Sequence, residues 1–182
     1  MRNLNRRPTA DPVAGTVGMI GHTGPPVCEV IAMMHVALWE PEIPPNTGNV
    51  ARLCAATGSR LHLVGRLGFH LTDRHLKRAG CDYWDAVDLR RHDSWDDFTN
   101  EISGSRLIGL SSHAQMNYTR YQFRDGDCLL FGTESKGLSP SIRGNCAALI
   151  TIPMPAGTTR SINLATAVGI VLYEALRQVH DW

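Results

Sequence analysis

The stretch that decides the fold is ALITIPMPAGTTRSINLATAVGIVLYEALRQV, residues 148–179. It begins with an apolar run, continues through a segment rich in proline and glycine, and ends where apolar residues recur every three or four positions. The apolar run predicts a buried strand over residues 148–152, and the recurring apolar positions predict a helix over residues 162–179. A strand, a loop and a helix in this order form the repeating unit of an α/β protein.

The same alternation extends back along the chain to Met34. Further strands are predicted at residues 35–39, 61–64, 106–111 and 128–131, and helices at 46–57, 72–79 and 94–102, with a short helix after Ser139. Short apolar strands that alternate with helices predict an α/β fold with a mainly parallel sheet and helices on both faces.

Composition limits the class of protein. The chain has 182 residues, of which 43% are hydrophobic, and a net charge of +1. This is typical of one globular domain without a strong overall electrostatic field. Of the 18 basic residues only Lys77 and Lys136 are lysines; the rest are arginines, which suit bidentate contacts with phosphate.

The five cysteines are odd in number and form no Cys-x-x-Cys pair, which argues against a disulfide framework or a zinc ribbon. No apolar run reaches the roughly 18 residues of a membrane span, and no signal-peptide pattern is present. We therefore expect a cytoplasmic protein that is not bound to a membrane.

Residues 1–33 differ from the rest of the chain. They contain four glycines and four prolines and lack a sustained apolar period. We interpret them as a flexible N-terminal extension, and residues 34–182 as a single domain.

In open α/β sheets, ligands bind beyond the carboxyl ends of the strands. The segments that follow the predicted strands at this edge are residues 40–49, 111–113, 131–138 and 152–164. Three of the four are rich in glycine, proline and small polar residues, which form irregular loops with backbone donors and acceptors available to a ligand. This edge is therefore the expected binding site.

Several familiar motifs are absent. Gly132 and Gly137 have the spacing of a phosphate-binding loop, but Leu138 stands where that loop requires lysine. The Gly-x-Gly-x-x-Gly fingerprint and the nucleophile elbow of α/β-hydrolases do not occur. His70 and His75 share no helical face, so no metal site is expected.

Ser161 and Asn163 stand near the start of the long predicted helix, where backbone N–H groups are free. Taken alone, Ser161 is most simply an ordinary N-cap and Arg160 a solvated surface charge. A functional interpretation depends on the combination of these residues with other segments.

Taken together, these segments resemble the motifs of a known protein family. The stretches PxNTGNxxR at residues 44–52, FGxESxGL at 131–138, and IPM at 152–154 followed by RSxNL at 160–164 resemble the signature motifs of the SPOUT class of RNA ribose methyltransferases. Residues 38–49, 67–69, 78–83 and 173–175 resemble the subfamily that methylates the 2'-hydroxyl of the wobble cytidine or uridine of tRNA. The match extends from about Met34 to the end of the chain.

The resemblance implies a C-terminal trefoil knot, a homodimer, tRNA as the substrate and S-adenosylmethionine as the cofactor, without a metal. We expect the dimer to form through the long C-terminal helix. By matching positions, the expected cofactor contacts are Leu110, Gly132, Ile152, Ser161 and Leu164, mostly through the backbone. Gly132 is expected to let the chain pass close to the cofactor.

Arg52 matches the catalytic arginine of the family. Because arginine stays protonated, we interpret it as a clamp on the target phosphate that also stabilises the developing alkoxide, rather than as a base. Asn163 is expected to orient the ribose.

Some positions depart from the subfamily pattern: Thr133 replaces a usual proline, and His113 replaces a common lysine. These departures leave the exact target nucleotide open. The alternatives are an enzyme of the same fold that acts on another tRNA position or on ribosomal RNA, and an RNA-binding module without activity.

Overall fold

The computed structural model describes residues 33–70 and 84–180, and this part of the chain contains seven strands and four α-helices. The strands are β1 His35–Trp39, β2 Arg60–Val64, β3 Leu89–His92, β4 Leu107–Leu110, β5 Met116–Asn117, β6 Cys128–Phe131 and β7 Ala148–Thr151. The helices are α1 Pro44–Thr57, α2 Trp95–Glu101, α3 Pro140–Arg143 and α4 Leu164–His180. Single 3₁₀ turns occupy Trp84–Ala86 and Tyr118–Arg120.

The strands form one sheet in the order β3-β2-β1-β6-β4-β7-β5, and every pair of neighbours is parallel. Strand β1 lies between β2 and β6. The chain therefore forms the half of the sheet with β2 and β3 first, and then the other half with β4 to β7. The expected parallel α/β sheet is confirmed. The strand order is consistent with a C-terminal knot, which stays a prediction.

Each face of the sheet is covered by its own apolar cluster, which confirms helices on both sides. On one face, Val50 and Cys54 of α1 pack with Val168 and Leu172 of α4. On the other face, Phe98 of α2 packs with residues that include Ile142 of α3. These side chains are almost fully buried, so their removal from water stabilises the position of each helix against the sheet.

Two predicted helix caps are confirmed. The hydroxyl of Ser94 accepts a hydrogen bond from the Asp97 N–H, and that of Ser139 accepts one from the Ile142 N–H. A third interpretation was wrong, because Ser161 is not the N-cap of the long helix. The side chain of Asn163 accepts hydrogen bonds from Ala165 and Thr166 instead, so α4 begins at Leu164.

Sequence patterning did not predict two strands. Strand β3 has the sequence LRRH, and β5 consists of two residues at the opposite edge of the sheet. Edge strands pair on one side only and do not need a continuous apolar run. The helix predicted at residues 72–79 lies outside the described residues. Among those that are described, no helix is long and apolar enough to cross a membrane.

Candidate active site

The loops beyond the carboxyl ends of β1, β4, β6 and β7 surround a cavity of about 1150 Å³. All five residues expected to contact the cofactor line it: Leu110, Gly132, Ile152, Ser161 and Leu164. Asn163 lines it as well, whereas Arg52 is exposed on α1 and is not among the lining residues. The structure therefore brings the three motif segments together at the predicted edge of the sheet.

Glu134 joins the loop after β6 to the beginning of α1. Its carboxylate accepts hydrogen bonds from the backbone N–H groups of Glu42 and Ile43, at 2.8 and 3.2 Å, and from the Asn46 side-chain amide at 3.0 Å. Pro44 and Pro45 begin α1 and carry no N–H, so the Glu134 carboxylate meets the last backbone donors before the helix. Three donors on one carboxylate hold these two segments in a fixed relation.

Asn163 connects the same segment to α4. Its Nδ2 donates to Oδ1 of Asn46 at 2.8 Å, and its own Oδ1 accepts from the backbone N–H groups of Ala165 and Thr166 at 2.9 and 3.3 Å. The two asparagines and Glu134 thus form a continuous hydrogen-bonded chain through all three motif segments. We call this chain the Glu134–Asn46–Asn163 network.

A second contact reinforces the junction of α1 with the β6 loop. The Glu42 carboxylate accepts hydrogen bonds from the backbone N–H of Ser135 at 2.9 Å and from its hydroxyl at 2.8 Å. Glu42 and Glu134 therefore each accept hydrogen bonds from the segment that carries the other. The glutamates at this junction are occupied by structural hydrogen bonds.

Gly132 is buried where the loop folds back on itself. A Cβ at this position would lie 2.1 Å from the Gly137 carbonyl carbon and 2.3 Å from the Leu138 nitrogen. The turn closes with a hydrogen bond from the Gly137 N–H to the Thr133 carbonyl, and Gly137 has a positive φ of 68°. The close approach that requires glycine is therefore to the protein's own backbone.

Three cationic side chains are among the lining residues of the cavity, together with the carboxylates of Glu40 and Glu134. The cationic side chains are those of Lys136, Arg143 and Arg160. Within the parts of the chain that the structure describes, none of these three side chains forms an ion pair. Such cations are available to the phosphates of a nucleic acid.

Three histidines from neighbouring strands form a separate group that the sequence spacing did not indicate. Nδ1 of His35 lies 2.9 Å from Nε2 of His62, and Nδ1 of His62 lies 2.9 Å from Nε2 of His92. His62, His92 and Glu101 could each offer a ligand atom to a metal, all within 4.8 Å of one another. The ring nitrogens instead hydrogen-bond to one another, and these side chains do not line the cavity.

Asn46 belongs to the motif at residues 44–52, and its position in that motif indicates no separate role. Its side chain is buried and stands at the centre of the Glu134–Asn46–Asn163 network. The signal available in the sequence was its place in a stretch that resembles a family motif; its partners became visible only in the structure.

Comparisons with known proteins agree with this geometry. The profile of the SpoU rRNA Methylase family matches residues 33–173. The tRNA (cytidine(34)-2'-O)-methyltransferase of Escherichia coli strain K12 is 43% identical over 149 residues, which cover 81% of this chain and 94% of that protein.

Solved structures show the same relationship. One described as "Structural insights into the 2-OH methylation of C/U34 on tRNA" is 48% identical, with a TM-score of 0.78 over 83% of this chain and 99% of that one. The SpoU methyltransferase AviRb of Streptomyces viridochromogenes, solved with its cofactor AdoMet, is 26% identical. Its TM-score is 0.74, and the match covers 81% of this chain and 60% of that one. The extent of the profile match and the identity to these relatives show that the chain belongs to the SpoU rRNA Methylase family.

Proposed function

We propose that this protein transfers a methyl group from S-adenosylmethionine to the ribose 2'-hydroxyl of the wobble nucleotide of tRNA, a cytidine or a modified uridine. The observation that carries the proposal is the Glu134–Asn46–Asn163 network, which joins all three motif segments around one cavity. The relatives named for this reaction match nearly their full length. The matched region of this chain therefore spans almost the whole of those proteins.

The residues of the cavity fit S-adenosylmethionine. Leu110, Ile152 and Leu164 offer half-buried apolar side chains, and the loops after β6 and β7 offer backbone donors and acceptors. Apolar walls with a few polar groups are typical of small-molecule sites. When bound, the cofactor supplies an electrophilic methyl group on a positively charged sulfur. We assign its contacts to Leu110, Gly132, Ile152, Ser161 and Leu164.

The protein's own contribution to the reaction is to position the ribose and stabilise charge. A 2'-hydroxyl is a weak nucleophile at neutral pH, so it must be oriented towards the methyl group and lose its proton. Arg52 is proposed to hold the target phosphate and to stabilise the negative charge that develops on the ribose oxygen. It acts from the exposed face of α1, which the network fixes against the cavity.

The structure refines the role proposed for Asn163. Both ends of its carboxamide already form hydrogen bonds, one with Asn46 and the other with the first N–H groups of α4. We therefore propose that Asn163 orients the ribose indirectly, by fixing the loop that carries the cofactor contacts against α1. This makes Asn163 a positioning residue.

We further propose that the protein forms a homodimer in the cytoplasm.

We also propose that residues 34–182 are the methyltransferase domain and that residues 1–33 are a dispensable extension. The family match begins at residue 33, and residues 31–182 form one compact unit. A truncated protein that begins at Met34 lacks the whole extension, including the Met33 N–H that donates to Asp125. We expect it to retain its melting temperature and turnover, whereas a large loss of tRNA affinity would identify the extension as an RNA-binding arm.

The proposed function is tested by incubating the purified protein with unmodified tRNA and S-adenosylmethionine, followed by nucleoside mapping by mass spectrometry. We expect one ribose methyl group at the wobble position, in tRNA that carries cytidine or uridine there. Methylation confined to another tRNA position or to ribosomal RNA would reassign the substrate. RNA binding without methyl transfer would indicate an inactive binding module.

A further inference from the structure

The cavity has a wall at the end of β1 that the expected cofactor contacts do not include. Trp39 is the last residue of β1, Glu40 follows it, and both side chains are half-buried and line the cavity. The cavity of about 1150 Å³ exceeds the roughly 300–1,000 Å³ of a typical site for one small molecule. There is therefore room beside the cofactor for part of a second ligand.

The Trp39 ring is held in place by other aromatic rings. It meets Trp95 of α2 edge to face, with ring centroids 5.4 Å apart and an interplanar angle of 80°. Trp95 in turn packs against Phe98, which is fully buried in the core. A large aromatic ring braced in this way offers a rigid surface to a ligand at little cost in side-chain entropy.

Glu40 has an unusual backbone conformation. Among the described residues it is the only one other than glycine with a positive φ, at 46°. Its N–H donates to the Val64 carbonyl at 2.8 Å, which secures this conformation. Residues held in sparsely populated conformations are concentrated at ligand sites. Within residues 33–70 and 84–180, the Glu40 carboxylate forms no hydrogen bond or ion pair.

Gly65, at the end of β2, leaves space for both side chains. A Cβ at Gly65 would lie 2.9 Å from Cγ of Glu40 and 3.4 Å from the Trp39 ring. The backbone at Gly65 also has a positive φ of 76°. The absence of a side chain at Gly65 therefore leaves room beside the end of β2 for the side chains of Trp39 and Glu40.

The two side chains have complementary chemistry. RNA-binding proteins recognise unpaired bases by stacking them on aromatic rings and by hydrogen bonds to their edges. A glutamate carboxylate accepts from the exocyclic amino group of cytosine, whereas uracil has a carbonyl oxygen at that position. We propose that Trp39 stacks on the base of the target nucleotide and that Glu40 accepts a hydrogen bond from its amino group, so that cytidine is preferred. This inference rests on the proposed function and names the base recognised at that same site.

The test uses synthetic tRNA anticodon stem-loops with cytidine, uridine or an abasic residue at the target position, and measures their binding by fluorescence anisotropy. Trp39→Ala should weaken binding of the cytidine RNA about ten-fold or more, the range expected for stacking of one base, and leave binding of the abasic RNA unchanged. Trp39→Leu keeps an apolar side chain without an aromatic face and should show the same pattern. Equal losses for both RNAs, or no loss, would overturn the stacking.

Glu40 is tested by the ratio of kcat/KM for the cytidine and uridine RNAs. Glu40→Gln keeps the shape of the side chain but removes its charge and offers an amide donor to the carbonyl of uracil. The preference for cytidine should fall about ten-fold. An unchanged ratio would overturn the contact with the amino group.

The matched control is Tyr121→Phe, which alters an aromatic side chain that packs against Phe123, away from Trp39, and does not line the cavity. Its RNA and cofactor affinities should equal those of the wild-type protein. If the wild-type protein methylates none of these RNAs, the proposed function is rejected together with this inference. If it is active and the Trp39 and Glu40 variants behave as wild type, this inference alone is rejected.

Discussion

The carboxamide of Asn163 forms hydrogen bonds in two directions, and each supports a different part of the protein. Its oxygen caps α4 and its nitrogen holds Asn46, whose amide in turn reaches Glu134. One side chain therefore links the stability of the longest helix to the shape of the cavity.

Two substitutions at Asn163 separate these contributions. Asn163→Asp keeps an oxygen that can cap α4 but cannot donate to Asn46, whereas Asn163→Ala loses both contacts. We expect both variants to turn over more slowly, and only Asn163→Ala to lose a further 1 kcal/mol or so of free energy of unfolding, typical of a lost N-cap. Thermal unfolding and single-turnover methyl transfer provide the measurements. Full activity in Asn163→Asp would show that the contact with Asn46 is dispensable.

Arg52 is the residue on which the proposed chemistry depends most. Arg52→Ala should slow methyl transfer by about 100-fold or more, since losing one donor that stabilises transition-state charge typically costs about 3 kcal/mol. Arg52 is not among the cavity-lining residues, so cofactor affinity measured by calorimetry should change little.

Arg52→Lys provides the matched variant. Lysine keeps the positive charge but lacks the planar guanidinium that can form two parallel hydrogen bonds with a phosphate. Arg52→Lys should therefore restore only part of the rate. A role as clamp predicts a pH–rate profile that is not shifted in this variant, whereas a role as base predicts a shift, because lysine has the lower pKa. Turnover close to wild type in Arg52→Ala would remove Arg52 from the mechanism.

At the scale of single elements, the loop after β6 depends on a glycine with no space for a side chain. The Cβ of Gly132→Ala would meet backbone atoms of Gly137 and Leu138 at distances that require the loop to move. We expect a lower melting temperature and weakened binding of S-adenosylmethionine. Gly169→Ala in α4 is the control, since its Cβ would meet nothing closer than 3.9 Å and alanine favours the helix. Equal melting temperatures for the two variants would contradict this account of the loop.

The histidines of β1, β2 and β3 form a hydrogen-bonded row across the sheet. In neutral rings a single tautomer satisfies both contacts, because Nδ1–H of His35 then donates to Nε2 of His62 and Nδ1–H of His62 donates to Nε2 of His92. Phe98 packs edge-on against His62 and His92. The row therefore joins the edge strand β3 to the centre of the sheet as long as the rings stay neutral.

This row makes the stability of the protein depend on pH. Burial, together with the neighbouring His35 and His92, lowers the pKa of His62 to about 3, and burial also lowers the pKa of His35 and His92. Arg60 opposes protonation of His62 and Asp88 favours it. The unfolded chain binds protons near pH 6.5 and the folded chain only at lower pH, so the stabilisation is complete above about pH 6.5 and is lost as the pH falls towards 3.

We expect the melting temperature to fall between pH 7 and 5, where most carboxylates stay ionised and do not contribute to the change. In His62→Gln this fall should be smaller, because one of the buried histidines no longer titrates. A pH dependence of equal size in His62→Gln and the wild type would exclude the row as its cause.

At the scale of the whole molecule, the question is how two chains would associate. The apolar stripe of α4, which includes Val168, Val171 and Leu172, is buried within the chain's own core and is not available to a partner. Tyr173 is 48% exposed on the same helix, and Met116 of the edge strand β5 is 47% exposed. Tyr173 is the one of these two that lies on α4, so a dimer through this helix would cover it.

We predict that light scattering at micromolar concentration gives a mass near twice that of the 20.0 kDa chain. Tyr173→Glu, which places a charge on the proposed interface, should shift the protein towards the monomer without changing its circular dichroism. A wild-type mass equal to one chain would contradict the proposed dimer.

Local sequence patterns specify most of the strands and helices of this protein. Apolar runs located the central strands, the helical period located α4, and the hydroxyls of Ser94 and Ser139 marked two helix starts. These signals are local, because alternation, periodicity and capping each involve residues within a few positions of one another. The family motifs are contiguous stretches of sequence, and they indicated which loops surround the cavity.

The tertiary structure alone decided which distant residues meet. Strand β3 exists because LRRH pairs with β2, although its composition does not favour a buried strand. The Asn163–Asn46 contact joins residues 117 positions apart. Taken alone, Ser161 satisfies the local rule for a helix cap as well as Asn163 does, and the loop geometry gives that role to Asn163. Such pairings depend on strand order and chain crossing, which bring together side chains that no local pattern relates.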